Sequence, residues 1–242
     1  MNINYRPEID GLRAIAVISV IFYHANVVIF DEKLFKGGFI GVDIFFVISG
    51  YLITSLILRE LNTTQSFSFM NFYQRRVRRI LPPLFFVMLL CFPVAWVHLG
   101  PGNFIDFSKS ILYSISFSSN FYFWDMGQQY AAANSLLKPF LHTWSLSIEE
   151  QYYIIFPIFL FIIFRYLRNY LLLFLIVSFI FSLLLADWGS KNYPSATFYF
   201  LHSRAWELIA GSFLAFSEIY QHYKKNNLIK ISNKKILNKN SF

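Results

Sequence analysis

The stretch FIGVDIFFVISGYLITSLIL, residues 39–58, decides the fold class, because it contains only one charged side chain, Asp43. A helix needs about 20 mostly apolar residues to cross the hydrocarbon core of a bilayer. The whole chain of 242 residues has a similar character, with 56% hydrophobic, 21% aromatic and 14% charged residues. Soluble domains carry roughly 25% charged residues. This composition excludes a soluble enzyme, a disordered chain and a nucleic-acid-binding protein, and it predicts an all-α, multi-pass transmembrane helical bundle.

Further apolar segments have the length and composition expected of membrane spans. The six predicted spans are Ala14–Phe30, Phe39–Leu58, Ile80–Val97, Leu146–Phe164, Leu171–Ala186 and Ala205–Tyr220. A seventh stretch, Phe104–Trp124, is interrupted by six serines, and we expect it to be re-entrant or interfacial.

The placement of basic residues predicts how these spans are oriented. Basic side chains gather at 75–79, at Arg165 and Arg168, and in a tail from Lys224 to Lys239. Loops rich in Lys and Arg remain on the cytoplasmic side of a membrane. The basic residues at 75–79 and those at Arg165 and Arg168 lie on the same side of the membrane only if Phe104–Trp124 does not complete a crossing. We therefore expect a membrane domain over residues 1–223, a Lys/Asn-rich cytoplasmic tail over residues 224–242, and both termini in the cytoplasm.

The first predicted span carries two titratable groups. Arg13 and His24 are separated by eleven positions, or about 16 Å along a helix. Arg13 then lies near the cytoplasmic boundary and His24 lies nearer the opposite side. Titratable groups at membrane depth are costly and often mark functional sites. The plain alternatives are an interfacial anchor for Arg13 and a neutral, interhelical hydrogen-bonding role for His24.

The second span combines small residues with an acidic group. Gly41 and Gly50 permit close helix packing, while Asp43 lies near the start of the span. Asp43 has two interpretations. It binds a cation or a substrate hydroxyl, or it stabilises the first turn of its helix as an acidic residue.

The basic cluster in FYQRRVRRILP, residues 72–82, has two interpretations. Arg76 and Arg79 are i, i+3 neighbours on one helical face. Such a pair suits an anionic ligand such as phosphate, which arginine binds in a bidentate manner. Anchoring of the span on its cytoplasmic side accounts for the same residues.

The stretch HTWSLSIEEQYY, residues 142–153, concentrates polar groups at the start of a predicted span. Glu149 and Glu150 cannot both face lipid, and His142 lies two helical turns before Glu149. The alternative is that Ser145 caps the helix and the carboxylates stabilise its first turn.

Arg204 and Glu207 form a further i, i+3 pair, suited either to a structural ion pair or to a direct functional role. No segment has the ligand spacing of a metal site, and Cys91 is the only cysteine.

Five motifs follow one another in order along residues 5 to 220 of the chain. They are IDGLRAIAV with YH, GGFIGVDIFFVISGYLIT, FYQRRVRRILP, LHTWSLSIEEQYYIIFP and RAWELIAGSFLAF. In this order they resemble the acyltransferase family 3 membrane domain of bacterial O-acetyltransferases that modify surface polysaccharides. The resemblance implies a bacterial cytoplasmic (inner) membrane protein. It also implies transfer of an acyl group, usually acetyl from acetyl-CoA, to a sugar hydroxyl outside the cell.

The resemblance suggests a role for each candidate residue. It favours His24 as the essential residue, acting as base or nucleophile. Together with residue type and predicted depth, the resemblance suggests that Arg13, Arg76 and Arg79 bind acyl-CoA. On the same grounds, Glu149 and Asp43 are suggested as further catalytic groups. No metal is expected. The other polar candidates have substrate-binding or structural roles, and they are His142, Ser145, Arg204 and Glu207.

The chain differs from the family in length, since its members usually have more transmembrane helices. We therefore expect a truncated membrane domain, with a partner subunit as one possible source of the missing helices. The competing interpretation is a non-catalytic membrane protein: a pseudoenzyme, a partner-binding bundle or a transporter-like bundle.

Overall fold

The computed structural model describes residues 6–25, 27–29, 32–33, 35–128 and 137–239. It divides into two compact units, one formed by Met1–Gln65 with Glu207–Phe242 and the other by Ser66–Trp206. We call these unit 1 and unit 2. Helices make up nearly all of the described backbone, so the predicted all-α bundle is confirmed.

Unit 1 is built from helices α1 (Pro7–His24) and α2 (Ile40–Thr64) and from the part of α9 (Leu201–Lys239) that begins at Glu207. Pro7 occupies the first helical position of α1, where its missing N–H costs nothing. Between α1 and α2, Val28–Ile29 and Glu32–Lys33 form a two-residue antiparallel ladder.

Glycines bring the helices of unit 1 into backbone contact. A Cβ atom on Gly41 would lie 2.5 Å from the carbonyl oxygen of Ala16 on α1. A Cβ atom on Gly50 would lie 1.8 Å from the carbonyl oxygen of Leu208 on α9. Nearby, Thr54 Oγ1 donates a hydrogen bond of 2.7 Å to Ser212 Oγ. The prediction that Gly41 and Gly50 allow close helix packing is therefore confirmed.

Unit 2 contains the remaining helices. They are α3 (Phe69–His98), α4 (Pro101–Ile115), α5 (Ser119–Gln128), α6 (Thr143–Tyr166), a 3₁₀ turn (Arg168–Tyr170), α7 (Leu171–Asn192), α8 (Pro194–Tyr199) and the first residues of α9. Ser68 caps α3, because its hydroxyl accepts a hydrogen bond from the backbone N–H of Asn71 at 3.4 Å. This cap starts α3 well before the predicted span Ile80–Val97, so the basic cluster lies within the helix.

Four of the described helices are long and apolar enough to cross a bilayer: Ile40–Thr64, Phe69–His98, Thr143–Tyr166 and Arg168–Asn192. Four of the six predicted spans coincide with them, except that Phe39 directly precedes α2. The predicted end of the first span at Phe30 is wrong, because α1 ends at His24. The 18 residues of α1 include three charged side chains, Glu8, Asp10 and Arg13, and α1 is not among these four helices. The predicted span Ala205–Tyr220 lies within α9 and is likewise outside this set of four.

The serine-rich stretch Phe104–Trp124 is broken into two helices. The break follows Ile115, and Phe117 adopts a positive φ of 52°. Helices α4 and α5 have 15 and 10 residues, so neither is long enough to cross a bilayer alone. Hydroxyls hold this break against α6: Thr143 Oγ1 donates to Ser119 Oγ at 2.8 Å, and the Ser119 and Ser147 hydroxyls are also 2.8 Å apart. Whether this stretch completes a crossing stays a prediction.

Helix α9 continues without a break through the predicted tail as far as Lys239. The assignment of residues 224–242 to a separate cytoplasmic tail stays a prediction.

Candidate active site

In unit 1, the packing of α1 on α2 fixes the positions of three candidate residues. Arg13 and His24 lie on α1, and Asp43 lies in the first turn of α2. A Cβ atom at Gly38 would be nearest to atoms of Ser19 and Tyr23 on α1, and a Cβ atom at Gly41 would be nearest to atoms of Ala16 and Val20. The two helices are therefore antiparallel, and Asp43 lies level with Ala16. By the rise of a helix, this level is about 12 Å from that of His24.

His24 is the last residue of α1 and its side chain is exposed. Its ring packs edge-to-face on the ring of Tyr23, with centroids 5.1 Å apart. Arg13 is half-buried, and its Nη1 lies 3.8 Å from Oδ1 of Asp10, one turn earlier on the same helix. His24 is thus the last residue of α1, whereas Arg13 lies nearly two turns inside its start, about 16 Å away along the helix.

A second polar cluster in unit 1 involves residues that sequence reasoning missed. Arg6 Nη1 donates to Tyr51 Oη at 2.6 Å and to Glu218 Oε2 at 3.1 Å. Arg59 Nη2 lies 3.8 Å from the other oxygen of Glu218. The cluster joins the start of α1 to α2 and α9. No local spacing signals it, because Arg6 and Glu218 are 212 positions apart.

In unit 2, α3 and α6 pack against each other in an antiparallel arrangement. The ring centroids of Phe69 and Phe161 are 5.6 Å apart, and Tyr73 Oη donates to the carbonyl oxygen of Ile154 at 3.1 Å. Arg76 follows on the same face of α3. Its guanidinium carbon lies 4.6 Å from the ring centroid of Tyr153 on α6.

Arg76 combines this cation–π contact with attraction to two carboxylates. Its guanidinium also lies 5.8 Å from the ring centroid of Phe72. Both Glu149 and Glu150 attract it electrostatically, which identifies the α6 carboxylates as its nearby acidic groups. Arg76 is half-buried, whereas Arg79 is exposed. The predicted phosphate-binding pair therefore consists of two arginines in different environments.

The two adjacent glutamates on α6 also differ. Tyr153 Oη donates a hydrogen bond of 3.1 Å to Glu149 Oε2. Glu150 is 7% exposed, and its Oε1 has no hydrogen-bond partner among the described residues. From the sequence, only Glu149 of this pair receives a catalytic role, and Tyr153 is not singled out. The i, i+4 spacing of Glu149 and Tyr153 was the available signal for their contact.

The remaining polar candidates take separate positions around α6 and α9. His142 directly precedes α6 and is exposed, and Ser145 Oγ donates to its carbonyl oxygen at 3.3 Å. The alternative that Ser145 caps this helix is therefore wrong, because the helix begins at Thr143. In unit 2, the guanidinium of Arg204 lies 5.9 Å from the ring centroid of Trp144. In unit 1, Glu207 is only 1% exposed.

The aromatic surroundings of Arg204 are tightly packed. Trp144 lies 4.4 Å from the ring of Phe198 and 5.7 Å from that of Tyr199, centroid to centroid. Burial raises the pKa of Tyr199 above its ordinary value. Arg204 is held here because Ser182 Oγ bonds to α9 on either side of it, donating to the carbonyl of His202 and accepting from the N–H of Trp206.

Within the described ranges, no group of three or more His, Cys, Asp or Glu side chains is arranged to hold a metal ion.

Comparisons with known proteins identify the family of this chain. A family profile described as an acyltransferase domain matches residues 6–231. The peptidoglycan O-acetyltransferase OatA of Listeria monocytogenes is 40% identical over 217 residues, covering 88% of this chain and 34% of the relative. The O-acetyltransferase OatA of Staphylococcus aureus is 36% identical over 216 residues, with the same coverage of 88% and 34%.

The chain spans about a third of the length of these two curated relatives. No solved structure matches it significantly. The family match covers all the candidate residues on α1, α2, α3, α6 and α9. This chain therefore belongs to the acyltransferase 3 family of membrane acyltransferases.

Proposed function

We propose that this chain acts in a membrane O-acyltransferase that moves an acyl group, which we take to be acetyl, from cytoplasmic acyl-CoA to a hydroxyl of a cell-surface glycan. The observation that carries the proposal is the α3–α6 contact, where Arg76 faces Glu149 and Glu150 between two helices long enough to span a bilayer. Ionisable residues at membrane depth are costly and usually have a functional role. The name of the Listeria relative suggests peptidoglycan as the acceptor.

Three arginines are proposed to contribute to donor binding, Arg13 in unit 1 and Arg76 with Arg79 in unit 2. Acyl-CoA carries phosphates, which guanidinium groups bind through paired hydrogen bonds. Arg79 is exposed and Arg13 is half-buried. The guanidinium carbon of Arg76 lies 4.6 Å from the ring centroid of Tyr153, a cation–π contact that stabilises the cation without a carboxylate partner. Arg13, Arg76 and Arg79 therefore supply cationic groups for an anionic donor.

His24 is proposed to act on the thioester by one of two routes. As a base, it takes the proton of the acceptor hydroxyl while the hydroxyl oxygen attacks the acyl carbon, the C–S bond breaks and the proton passes to the CoA thiolate. As a nucleophile, its ring nitrogen accepts the acyl group and CoA leaves as the thiol. The hydroxyl then attacks the acyl-imidazole and returns a proton to the ring. Neither route requires a metal ion.

The other polar residues have supporting roles in this proposal. Glu149 is proposed to accept the hydroxyl proton, and Asp43 to position the acceptor. His142, Ser145, Arg204 and Glu207 bind substrate or hold the helices in place. A partner subunit is proposed to contribute to the acceptor path.

The proposed location is the bacterial cytoplasmic membrane, with both termini in the cytoplasm. Tyr166 ends α6 beside Arg165 and is 76% exposed. A cysteine at position 166 in a Cys91→Ser background is expected to react with an impermeant maleimide only from the cytoplasmic side, because positive residues remain there. Labelling from the outside would reverse this topology.

The function is tested by following radiolabelled acetyl-CoA in membranes that contain the inserted chain. We expect label to be released from CoA and to appear on added peptidoglycan fragments, at a rate above that of membranes lacking the chain. Unlabelled acetyl-CoA should compete. Turnover equal to background, with properly inserted protein, would favour the non-catalytic alternative.

A further inference from the structure

Tyr153 contacts two residues for which the proposed function requires different roles. Its hydroxyl donates to Glu149 Oε2 at 3.1 Å, and its ring lies 4.6 Å from the guanidinium carbon of Arg76. The side chain is 3% exposed, so it is fixed between α3 and α6. Glu149 and Tyr153 are one helical turn apart, whereas Arg76 comes from the other helix.

We propose that Tyr153 is a positioning residue that holds Glu149 through its hydroxyl and Arg76 through its ring. This role rests on the proposed acyltransferase function. Neither contact requires Tyr153 to touch the substrate. One side chain thus controls the geometry of a catalytic carboxylate and of a donor-binding cation.

The physical need for such a residue follows from the charges around it. Arg76 is attracted by Glu149 and Glu150, and a direct ion pair with either would occupy its N–H donors. A cation–π contact with an aromatic ring stabilises a guanidinium without a carboxylate partner. This contact with Tyr153 therefore stabilises Arg76 without a direct ion pair, so its N–H donors can serve a phosphate.

The hydroxyl of Tyr153 acts on the neighbouring carboxylate in a complementary way. A hydrogen bond to a charged group contributes about 1.5–3 kcal/mol, which is enough to select one orientation of the carboxylate. By fixing Oε2 of Glu149, Tyr153 restrains the rotation of this carboxylate toward Arg76. The bond thus keeps Glu149 and Arg76 available for separate tasks.

The two contacts can be separated by substitution. Tyr153→Phe keeps the ring under Arg76 and removes the hydroxyl, so we expect kcat to fall roughly 10-fold or more, as for loss of a hydrogen bond to a charged group, with KM for acetyl-CoA unchanged. Tyr153→Leu removes both contacts, and we expect KM to rise as well. The measurement is the initial rate of acetyl-CoA turnover at varied donor concentration.

Tyr73→Phe is the matched control, because Tyr73 also bonds α3 to α6, through the Ile154 carbonyl at 3.1 Å, without contacting the carboxylates. We expect it to leave kcat and KM as in the wild type. Equal losses of kcat in Tyr73→Phe and Tyr153→Phe would mean that the hydroxyl serves only helix packing, and would overturn the positioning role.

A second measurement tests the bond without using turnover. In a double-mutant cycle of thermal unfolding, Tyr153→Phe and Glu149→Leu should be non-additive, because each removes one partner of the same hydrogen bond. Additive effects would contradict the contact. An active wild type with Tyr153→Phe unchanged would overturn the positioning role alone, whereas an inactive wild type would overturn the proposed function and this role together.

Discussion

Replacing His24 by alanine is expected to lower the turnover of acetyl-CoA by about 10²–10⁴-fold, the contribution of a general acid or base to a rate. His24 is exposed at the end of α1, where its imidazole is accessible to a substrate. Both proposed routes pass through this ring, so its loss affects kcat whichever route is followed. The measurement is the initial rate in membranes that contain equal amounts of inserted protein.

His98→Ala is the matched control for this variant. His98 is also an exposed histidine at the last position of a helix, α3, and it has no part in the proposed chemistry. We expect its turnover to equal that of the wild type. Equal rates for the wild type, His24→Ala and His98→Ala would remove His24 from the mechanism.

Acid quenching during turnover distinguishes the two routes through His24. Label that remains on the wild-type protein, is absent from His24→Ala and is released by hydroxylamine would indicate an acyl-imidazole. Turnover without such label would favour direct attack by the hydroxyl.

The bundle itself was predictable, because apolar length is a local property of the sequence. The segment Phe39–Leu58 lies within α2 almost as predicted, and Leu171–Ala186 lies within α7. The start of α3 was not predictable in the same way. Its arginines resemble a loop by charge, yet arginine is a good helix former and Ser68 caps the helix before them.

The candidate site was predictable only where residues are close in the sequence. The spacing of Arg76 and Arg79 indicates one helical face but not which of them turns toward α6. Glu149 and Glu150 point about 100° apart, since a helix has 3.6 residues per turn. Which one becomes buried depends on the position of α3, and the Arg76–Tyr153 contact joins two helices distant in sequence. These features follow from tertiary packing, which no short motif contains.

The helix contacts of unit 1 lead to the second large expected effect. Replacing Gly50 by alanine is expected to destabilise unit 1 by about 3 kcal/mol, the upper end of the usual cost of overpacking. The added Cβ atom would lie 1.8 Å from the carbonyl oxygen of Leu208 and 2.6 Å from its carbonyl carbon. Both are backbone atoms, so no change of rotamer relieves the clash, and α2 and α9 must move apart.

Gly211 makes the reciprocal contact and provides an internal test of this explanation. A Cβ atom there would lie 1.9 Å from the carbonyl oxygen of Val47 and 2.6 Å from the backbone nitrogen of Tyr51. Gly211→Ala should therefore destabilise the protein as Gly50→Ala does. The double variant should lose less than the sum, because the first alanine already separates the helices.

Gly11→Ala distinguishes this steric effect from the general effect of replacing glycine in a helix. Gly11 belongs to α1 in the same unit, and a Cβ atom there meets nothing within 4 Å. Since alanine is about 1 kcal/mol more favourable than glycine inside a helix, Gly11→Ala should be at least as stable as the wild type. Thermal unfolding in detergent measures all of these variants. If Gly50→Ala unfolded at the same temperature as Gly11→Ala, α2 and α9 would not cross at these glycines, and the close packing of unit 1 would need another basis.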